Sequence, residues 1–569
     1  MPALSARRPR IVLFACLACY ALVMLWLAVR QSVDYFDAYE ILNNAHGIAV
    51  GTLANYSNQR PLVLPALLAP LFVAQRWIGW LDPVRTLTAS HVVITGLCFL
   101  FLWAVYQLLR RQFDWPLALA GTGLLAIHPL LISMASVTKE DIPAACFLAL
   151  GFLYYLRNRF GVSGLWLALA VSTRFNLIPV PVAVIGSYEL LSGRLWRDRD
   201  LIHKKIVYLV VLPGLVFALL PTVWFPTIGL ATAVEAFPRF ALDMVSTLRI
   251  TQGMKVPSSL YYAALWQSFS PPVCLLFLLG VVSAAVRRPK DAGFHALWLG
   301  LVFVYSAYLI GAKESRYLFP IFIPFVYFAI EGLSRLFESM TRPATRIAAA
   351  VAIAAWPGYL AAHELQRRQD AVFTDNYAYS VSKAAAELAG AHRIGWVGPP
   401  YAIAPRDYWF NREDKYTYIF HFASHVVGYY TDRVIDVIPS AREASAGVFD
   451  IAQTARLDDG DVLVVNREPT SFTTATLPRH REPLLIERVR VVSTAADGAA
   501  RINAPDGPYI LVRRGSDAAH PGEELRRVEV RGGIVVESEA LSAAREAAPG
   551  RLLALVGVDV LGSYPLPVR

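Results

Sequence analysis

Three acidic side chains directly follow the first apolar segment of the chain, in the run Val33-Asp34-Tyr35-Phe36-Asp37-Ala38-Tyr39-Glu40. In a helix, Asp37 and Glu40 would lie on one side, with Asp34 one turn earlier. A carboxylate beside an apolar segment can take a proton from a hydroxyl group, or hold a cation that binds a phosphate. The alternative is a solvated loop in which Asp37 caps a helix that starts at Ala38. Spacing alone leaves both interpretations open.

A second acidic pair, Glu140 and Asp141, precedes another apolar segment, which has Pro143 in its first turn. Acids at such a position also cap a helix and interact favourably with its dipole. On local grounds, a structural role is therefore as reasonable as a functional one.

Arg174 interrupts an apolar stretch that runs from Leu165 to Pro181. An arginine in apolar surroundings needs an anion, which is either a protein carboxylate or a ligand phosphate. Neither source is favoured by the sequence.

Two further cations stand three residues apart in the run Lys313-Glu314-Ser315-Arg316-Tyr317. Lys313 and Arg316 can together grip a phosphate, with Glu314 orienting one of them. The alternative is that they are the basic ends of membrane helices, which commonly reach toward water.

The composition indicates what kind of chain must position these residues. Of its 569 residues, 56% are hydrophobic and 17% are charged, and the mean hydropathy is +0.44. Soluble globular proteins have about 45–50% apolar and about 25% charged residues. The difference comes from residues 1–369, which carry a net charge of +14, whereas residues 370–569 carry −4 and have an ordinary soluble composition. We expect a membrane domain over 1–369 and a soluble domain over 370–569, and the positive charge does not indicate nucleic-acid binding.

Hydrophobic runs and basic clusters predict a topology. The first run, Ile11 to Val29, has 19 residues and no following cleavage site, so we interpret it as a retained helix with its amino end inside. Further runs occur near 87–109, 116–135, 142–157, 161–174, 176–192, 206–226, 271–286, 294–311, 317–335 and 346–362. Placing the basic clusters inside gives about eleven transmembrane helices. If the proline-rich stretch 61–80 also crossed the membrane, the basic cluster Arg110/Arg111 would move to the outer side. We therefore place this stretch on the outer face as a re-entrant or interfacial helix.

This topology places the acids and the cations on the same side of the membrane. The outer segments are 31–60, 136–141, 227–270, 313–316 and 370–569. Acids that activate a hydroxyl, together with cations that stabilise a phosphate leaving group, are what glycosyl transfer from a lipid phosphate requires.

The carboxyl-terminal domain is predicted to be mixed α/β, with helices near 381–388 and 540–547. Its β-like runs are 393–397, 432–438, 461–465, 484–492, 509–512 and 533–536. All five cysteines lie in apolar segments of 1–369, so this domain folds without disulfides. His421 and His425 share helical spacing without a recognisable third ligand, which favours a surface or packing role over a metal site.

These residues resemble the motifs of the GT-C superfamily of membrane glycosyltransferases, which use polyprenyl-phosphate-linked sugars. The resemblance is greatest to the branch of protein mannosyltransferases and lipid A aminoarabinose transferases, and it covers roughly residues 10 to 340. The first loop lacks the adjacent acid pair of many members, so Asp34 and Asp37 compete for the catalytic place. In the motif that contains Lys313 and Arg316, Ala312 stands in place of a histidine and Tyr317 in place of a phenylalanine. The motifs are Asp34-Tyr35-Phe36-Asp37-Ala38-Tyr39, Asn58-Gln59-Arg60-Pro61-Leu62 with Pro65, Asp141-Ile142-Pro143, Thr173-Arg174, and Lys313-Glu314-Ser315-Arg316-Tyr317 with Pro320.

The resemblance implies an inverting transfer of a sugar to a hydroxyl acceptor. Asp37, with Asp34 as second choice, would deprotonate the acceptor, and Asp141 would position the acceptor or its base. The residues that stabilise the departing lipid phosphate would be Arg174, Lys313 and Arg316. The supporting residues would be Glu40, Glu140, Glu314 and Arg60. No metal ligand is assigned, because many relatives work without a metal; no cofactor is required, although a divalent cation is compatible with the site.

The expected partners are a polyprenyl-phosphate-linked sugar, a hydroxyl acceptor on a glycan, lipid or protein, and membrane lipids, but no nucleic acid. We expect a multi-pass protein of the inner (plasma) membrane, with a cytoplasmic amino terminus and an extracytoplasmic carboxyl-terminal domain. Two other functions are alternatives for a chain of this composition. A transporter or lipid flippase would favour inverted repeats and polar residues at mid-membrane depth, which are not evident. A non-catalytic envelope assembly protein would use its outer domain to bind a partner.

Overall fold

The computed structural model divides into two compact units. Unit 1 comprises Met1–Ser32, Asn44–Thr52 and Asn58–Val372, and unit 2 comprises Val33–Asn43, Leu53–Ser57 and Phe373–Arg569. The structure describes residues 2–31, 34, 36–51, 61–79, 82–174, 177–194, 199–219, 257–309 and 315–370, and in the carboxyl-terminal region residue 429 and the strands given below.

Within the described residues of unit 1, the secondary-structure elements are all helices. Its helices are α1 (Pro2–Arg30), α3 (Val63–Trp77), α4 (Pro83–Leu109), α5 (Trp115–Ala126), α6 (Pro129–Met134), α7 (Asp141–Leu156), α8 (Phe160–Thr173), α9 (Pro179–Leu191), α10 (Arg199–Ile206), α11 (Leu212–Leu219), α12 (Ser259–Phe269), α13 (Pro271–Arg287), α14 (Pro289–Val304), α15 (Phe319–Ser339) and α16 (Pro343–Asp370). Helix α2 (Phe36–Val50) contributes residues to both units. Short π-helical turns, Val207–Val211 and Tyr305–Leu309, follow α10 and α14, and a 3₁₀ turn, Ser315–Leu318, precedes α15.

Several of these helices are long and apolar enough to cross a membrane. Within the described residues they number five, and six if α12 and α13, which meet at a bend of 105°, form one broken span. Helices α3, α5, α7, α8 and α9 are apolar but have only 12 to 16 residues, fewer than the roughly 20 that a straight crossing needs. A multi-pass helical membrane protein is therefore confirmed, while the total of about eleven spans stays a prediction.

Capping residues set where several of these helices begin. The Asp82 carboxylate accepts hydrogen bonds from the backbone N–H of Val84 at 2.9 Å and of Arg85 at 3.4 Å, next to a proline at the first helical position. His128 does the same for α6, since its Nδ1 accepts from Leu130 N at 3.2 Å. This cap divides the predicted run 116–135 into α5 and α6, because Pro129 favours a new helix start at that point.

Helix α15 lies at the centre of unit 1. Its first fifteen residues, 319–333, are all buried, and it packs against α13, α14 and α5. The closest approach is to α13, where Gly280 and Gly332 face the opposite backbone. A Cβ at Gly280 would overlap the carbonyl oxygen of Phe328, and a Cβ at Gly332 would overlap that of Leu276. Small residues of this kind allow two membrane helices to touch along their backbones.

Replacing either glycine by alanine is therefore expected to destabilise the protein. The added methyl group meets backbone, which cannot move aside as a side chain can, so we expect a loss of about 2 kcal/mol or more. The measurement is the thermal unfolding midpoint of Gly280→Ala and Gly332→Ala in detergent. Gly300→Ala in α14 is the matched control, because nothing lies within 4 Å of its added Cβ. Equal midpoints for all three variants would contradict the close crossing.

The described part of the carboxyl-terminal region consists of β-strands. They are β1 (Ile394–Val397), β2 (Ile435–Ile438), β3 (Val448–Phe449), β4 (Val462–Asn466), β5 (Leu484–Thr494), β6 (Ala500–Arg501), β7 (Gly507–Arg513), β8 (Glu523–Glu524), β9 (Arg526–Arg531), β10 (Ile534–Val536) and β11 (Leu553–Gly557). Nine of them form a mixed sheet in the order β11-β7-β9-β10-β6-β5-β4-β1-β2, and β3 pairs with β8. Strand β1 pairs in parallel with β2 and β4, with Ile394 opposite Ile435 and Val462.

A strand occurs at each of the six predicted β-runs. The predicted helices 381–388 and 540–547, and the pair His421 and His425, lie outside the described residues. The α/β fold of the carboxyl-terminal domain therefore stays a prediction.

Candidate active site

Asp141 opens helix α7, and the loop before it is fixed against α4. Ser90 and Thr138 form a hydrogen bond between their hydroxyl groups at 2.8 Å. Thr95 Oγ1 donates to the carbonyl of Ala135 at 3.2 Å. These contacts hold the loop, so the first turn of α7 has a defined position. The Asp141 side chain is only 2% exposed, so its charge must be compensated within the protein.

Two arginines compensate that charge, one on each carboxylate oxygen. Arg174 Nη1 donates to Asp141 Oδ1. Arg316 Nη1 lies 3.5 Å from Asp141 Oδ2. Both arginine side chains are 14% exposed, so they are largely but not completely removed from solvent. Asp141 thus bridges two cations that are far apart in sequence.

Backbone geometry places each arginine. Arg174 ends α8 in an extended conformation, with φ −149° and ψ 107°, so its side chain leaves the helix axis at the point where α8 stops. Arg316 lies in the 3₁₀ turn that precedes α15. Because α15 is buried from its first residue, this turn is anchored to the core of unit 1.

The Tyr317 ring lies close to both guanidinium groups. The Cζ atom of Arg174 is 4.6 Å from the ring centroid, and that of Arg316 is 5.6 Å from it. Both distances are in the range of a cation–π interaction, in which a guanidinium group is attracted to the face of an aromatic ring. Tyr317 therefore holds the arginines by a contact that adds no charge.

A pocket opens beside Arg174 and Tyr317. Apolar side chains form most of its wall, and the π-helical turn Tyr305–Leu309 contributes two residues. Its lining is Arg174, Leu177, Val180, Val302, Tyr305, Ser306, Tyr317 and Pro320. Arg174 is the one charged residue in this lining. The lining thus sets one cation among mainly apolar and aromatic side chains, which is the chemistry that an anionic group next to hydrocarbon would meet.

Comparison with known proteins identifies the architecture. Residues 88–224 match the family profile described as dolichyl-phosphate-mannose-protein mannosyltransferase. No curated protein sequence matches the chain. The solved structure of ArnT from Cupriavidus metallidurans bound to undecaprenyl phosphate is similar with a TM-score of 0.55 at 12% identity, over 80% of this chain and 93% of that chain. The chain has the GT-C fold.

Two structures of an archaeal enzyme with this fold are also similar. The oligosaccharyltransferase AglB from Archaeoglobus fulgidus, in complex with an inhibitory peptide and a dolichol-phosphate, gives a TM-score of 0.52 at 12% identity, over 95% of this chain and 77% of that chain. Its complex with Zn and sulfate gives 0.51 at 14% identity, over 85% and 72%. The GT-C fold that the motifs indicated is thus confirmed.

Some of the residues proposed from the GT-C motifs meet in unit 1. The structure brings together Asp141, Arg174 and Arg316, and it buries Glu140 beside Asp141 in sequence. Lys313, Glu314 and Arg60 lie outside the described residues. Sequence reasoning missed the role of Tyr317, although its position directly after Arg316 was a usable signal.

The acidic first loop belongs to unit 2 of this GT-C protein. Asp34 and Glu40 are buried, so a solvated loop does not describe them. The backbone N–H of Asp34 donates to the Tyr39 hydroxyl at 3.1 Å, and the Tyr39 ring lies 5.4 Å from that of Tyr429. Helix α2 begins at Phe36, which places Asp37 in its first turn rather than before it; the Asp37 side chain is outside the described residues.

No metal-binding group is evident in the described part of this GT-C chain. There, no three His, Cys, Asp or Glu side chains come together in a way that could hold an ion. Both oxygens of the Asp141 carboxylate already face guanidinium groups, which are poor neighbours for a cation. The described residues therefore do not fit a metal.

Proposed function

We propose that this protein is a membrane glycosyltransferase that moves a sugar from a polyprenyl-phosphate donor to a hydroxyl acceptor at the outer face of the membrane, with inversion at the anomeric carbon. The observation that carries the proposal is the convergence of Arg174 and Arg316 on one anionic group beside an apolar pocket. A lipid phosphate has both features that this site would recognise. The undecaprenyl phosphate in ArnT and the dolichol-phosphate in AglB support the same ligand class.

In this mechanism the donor phosphate binds to Arg174, Arg316 and Lys313, and the start of its prenyl chain lies against the apolar side chains next to Arg174. The acceptor hydroxyl attacks the anomeric carbon from the face opposite the phosphate, and its proton passes to Asp37, with Asp34 as the second choice. The bond between the anomeric carbon and the phosphate oxygen breaks, and its electron pair leaves with the lipid phosphate. Two guanidinium groups stabilise the charge that develops there, in surroundings of low dielectric constant.

The remaining residues have supporting roles. Asp141 positions the two arginines, and through them the donor, while Glu40, Glu140, Glu314 and Arg60 support the site. The protein resides in the inner membrane, with its amino terminus in the cytoplasm and residues 370–569 on the outer side. The acceptor is a glycan, a lipid or a protein, and a divalent cation is not required.

A cellular profile tests this function. Glycolipids and glycoproteins are compared in a strain that lacks the protein, after complementation with the wild type, Asp37→Asn or Asp114→Asn. We expect one sugar to be lost in the deletion strain and restored by the wild type but not by Asp37→Asn. Asp114→Asn is the matched control, since Asp114 caps α5 and asparagine caps equally well. An unchanged profile in the deletion strain would favour a transporter or an assembly protein.

A further inference from the structure

The carboxylate of Asp141 lies where an anionic ligand of the two arginines would bind. Each of its oxygens faces one guanidinium group, and the side chain is almost fully buried. A phosphate that binds to Arg174 and Arg316 must therefore share them with Asp141 or displace it. The two anions compete for the same cations.

Asp141 should affect the binding of the donor and of the product differently, because the two ligands carry different charges. The sugar donor is a phosphodiester with one negative charge. The lipid phosphate that leaves is a monoester with about 1.5 to 2 negative charges near pH 7. The Asp141 carboxylate therefore repels the product more strongly than the donor, in partly buried surroundings where like charges repel more strongly than in water.

We propose that Asp141 is a positioning residue that competes with the lipid phosphate for Arg174 and Arg316 and so promotes release of the product after transfer. This inference rests on the proposed function. The Tyr317 ring makes the exchange feasible, because it contacts both guanidinium groups and keeps them in place when the carboxylate withdraws. Asp141 takes no part in proton transfer in this scheme, so the chemical steps given under the proposed function stay the same.

The test is direct binding of two probes to the purified full-length protein. Farnesyl phosphate is a monoester like the product, and farnesyl methyl phosphate is a diester like the donor linkage. We expect Asp141→Asn to bind the monoester about tenfold more tightly than the wild type, within the usual range of coupling between competing ligands. The diester should gain much less. A residue with only a structural role would not change the two affinities differently.

Glu338 offers a matched control on another surface of unit 1. Its Oε2 also bridges two arginines, Arg287 at 2.9 Å and Arg335 at 2.7 Å, in an exposed position at the end of α15. Glu338→Gln makes the same chemical change between two arginines. Both probes should bind to this variant as they do to the wild type.

A second pair of variants covers the case in which Asp141→Asn does not fold. Arg174→Gln and the double variant Arg174→Gln/Asp141→Asn differ only in the acid. The double variant has lost both ion pairs of Asp141, with Arg174 and with Arg316, but it leaves no buried carboxylate unpaired. The double variant should bind farnesyl phosphate more tightly than the single one. Equal or weaker binding in the folded variants would overturn the competition while leaving the proposed function intact. Failure of the wild type to bind either probe would instead overturn the proposed function.

Discussion

Arg174→Gln and Arg316→Gln are each expected to lower kcat/KM for glycosyl transfer by about 10²–10³-fold, the usual effect of removing one preorganised donor to a developing negative charge. The charge on the phosphate oxygen grows as the bond to the sugar breaks, so the loss should appear mainly in kcat. Each variant keeps one arginine on Asp141, which limits damage to the fold. The measurement is the initial rate with the donor and acceptor that the cellular profile identifies.

Arg174→Lys and Arg316→Lys should retain more activity than the glutamine variants, but less than the wild type. Arg174 and Arg316 both lie against the Tyr317 ring, and lysine lacks the planar group that stacks there and forms paired hydrogen bonds. Arg287→Gln is the control, because Arg287 is exposed and contacts Glu338 away from this site. If Arg174→Gln retained wild-type kcat, the phosphate would have to bind elsewhere.

The second large effect is expected at Asp37, the proposed general base. Asp37→Asn should lower kcat by about 10²–10⁴-fold, as removal of a general base does. Wild-type activity should fall in acidic solution, because a protonated carboxylic acid cannot accept the proton of the hydroxyl. The variant should lose that acidic limb of its pH–rate profile. Rates measured across a pH series with saturating donor provide the comparison.

Asp34→Asn is the informative companion to this variant. Asp34 is fully buried, and its backbone N–H is bonded to Tyr39, so we expect a smaller loss of activity than at Asp37. Glu40→Gln, in helix α2 with Asp37, gives the effect of removing a supporting carboxylate for comparison. A larger loss in Asp34→Asn, with the acidic limb abolished there instead, would exchange the roles of the two aspartates.

The sequence allowed some of this site to be predicted for physical reasons. An arginine inside an apolar stretch requires an anion, and that rule correctly marked Arg174 as a residue with a partner. It could not decide between a carboxylate and a ligand phosphate, because the partner, Asp141, is 33 residues away and on a different helix. Convergence of Arg174 and Arg316 depends on where α8 ends and α15 begins in space, which no local pattern encodes.

For the fold as well, local features could be predicted from the sequence, whereas contacts between distant segments could not. Periodic β-branched runs located strands such as β4 and β5, since that signal is local. The order in which strands pair was not accessible in this way. The division of the run 116–135 into α5 and α6 was foreshadowed by Pro129, but the run's overall hydropathy concealed it. The close approach at Gly280 and Gly332 depends on which helices meet, so neither glycine stood out in the sequence.

The burial of α15 from Phe319 onward has an evolutionary consequence. Arg316 and Tyr317 lead directly into a helix whose first fifteen residues are buried, so a substitution that reshapes their side of the pocket would also disturb folding. Lineages that inherit this architecture should therefore keep the same class of lipid carrier over long divergence. New biochemical specificities should arise through the molecule that receives the sugar, in segments that the core does not constrain.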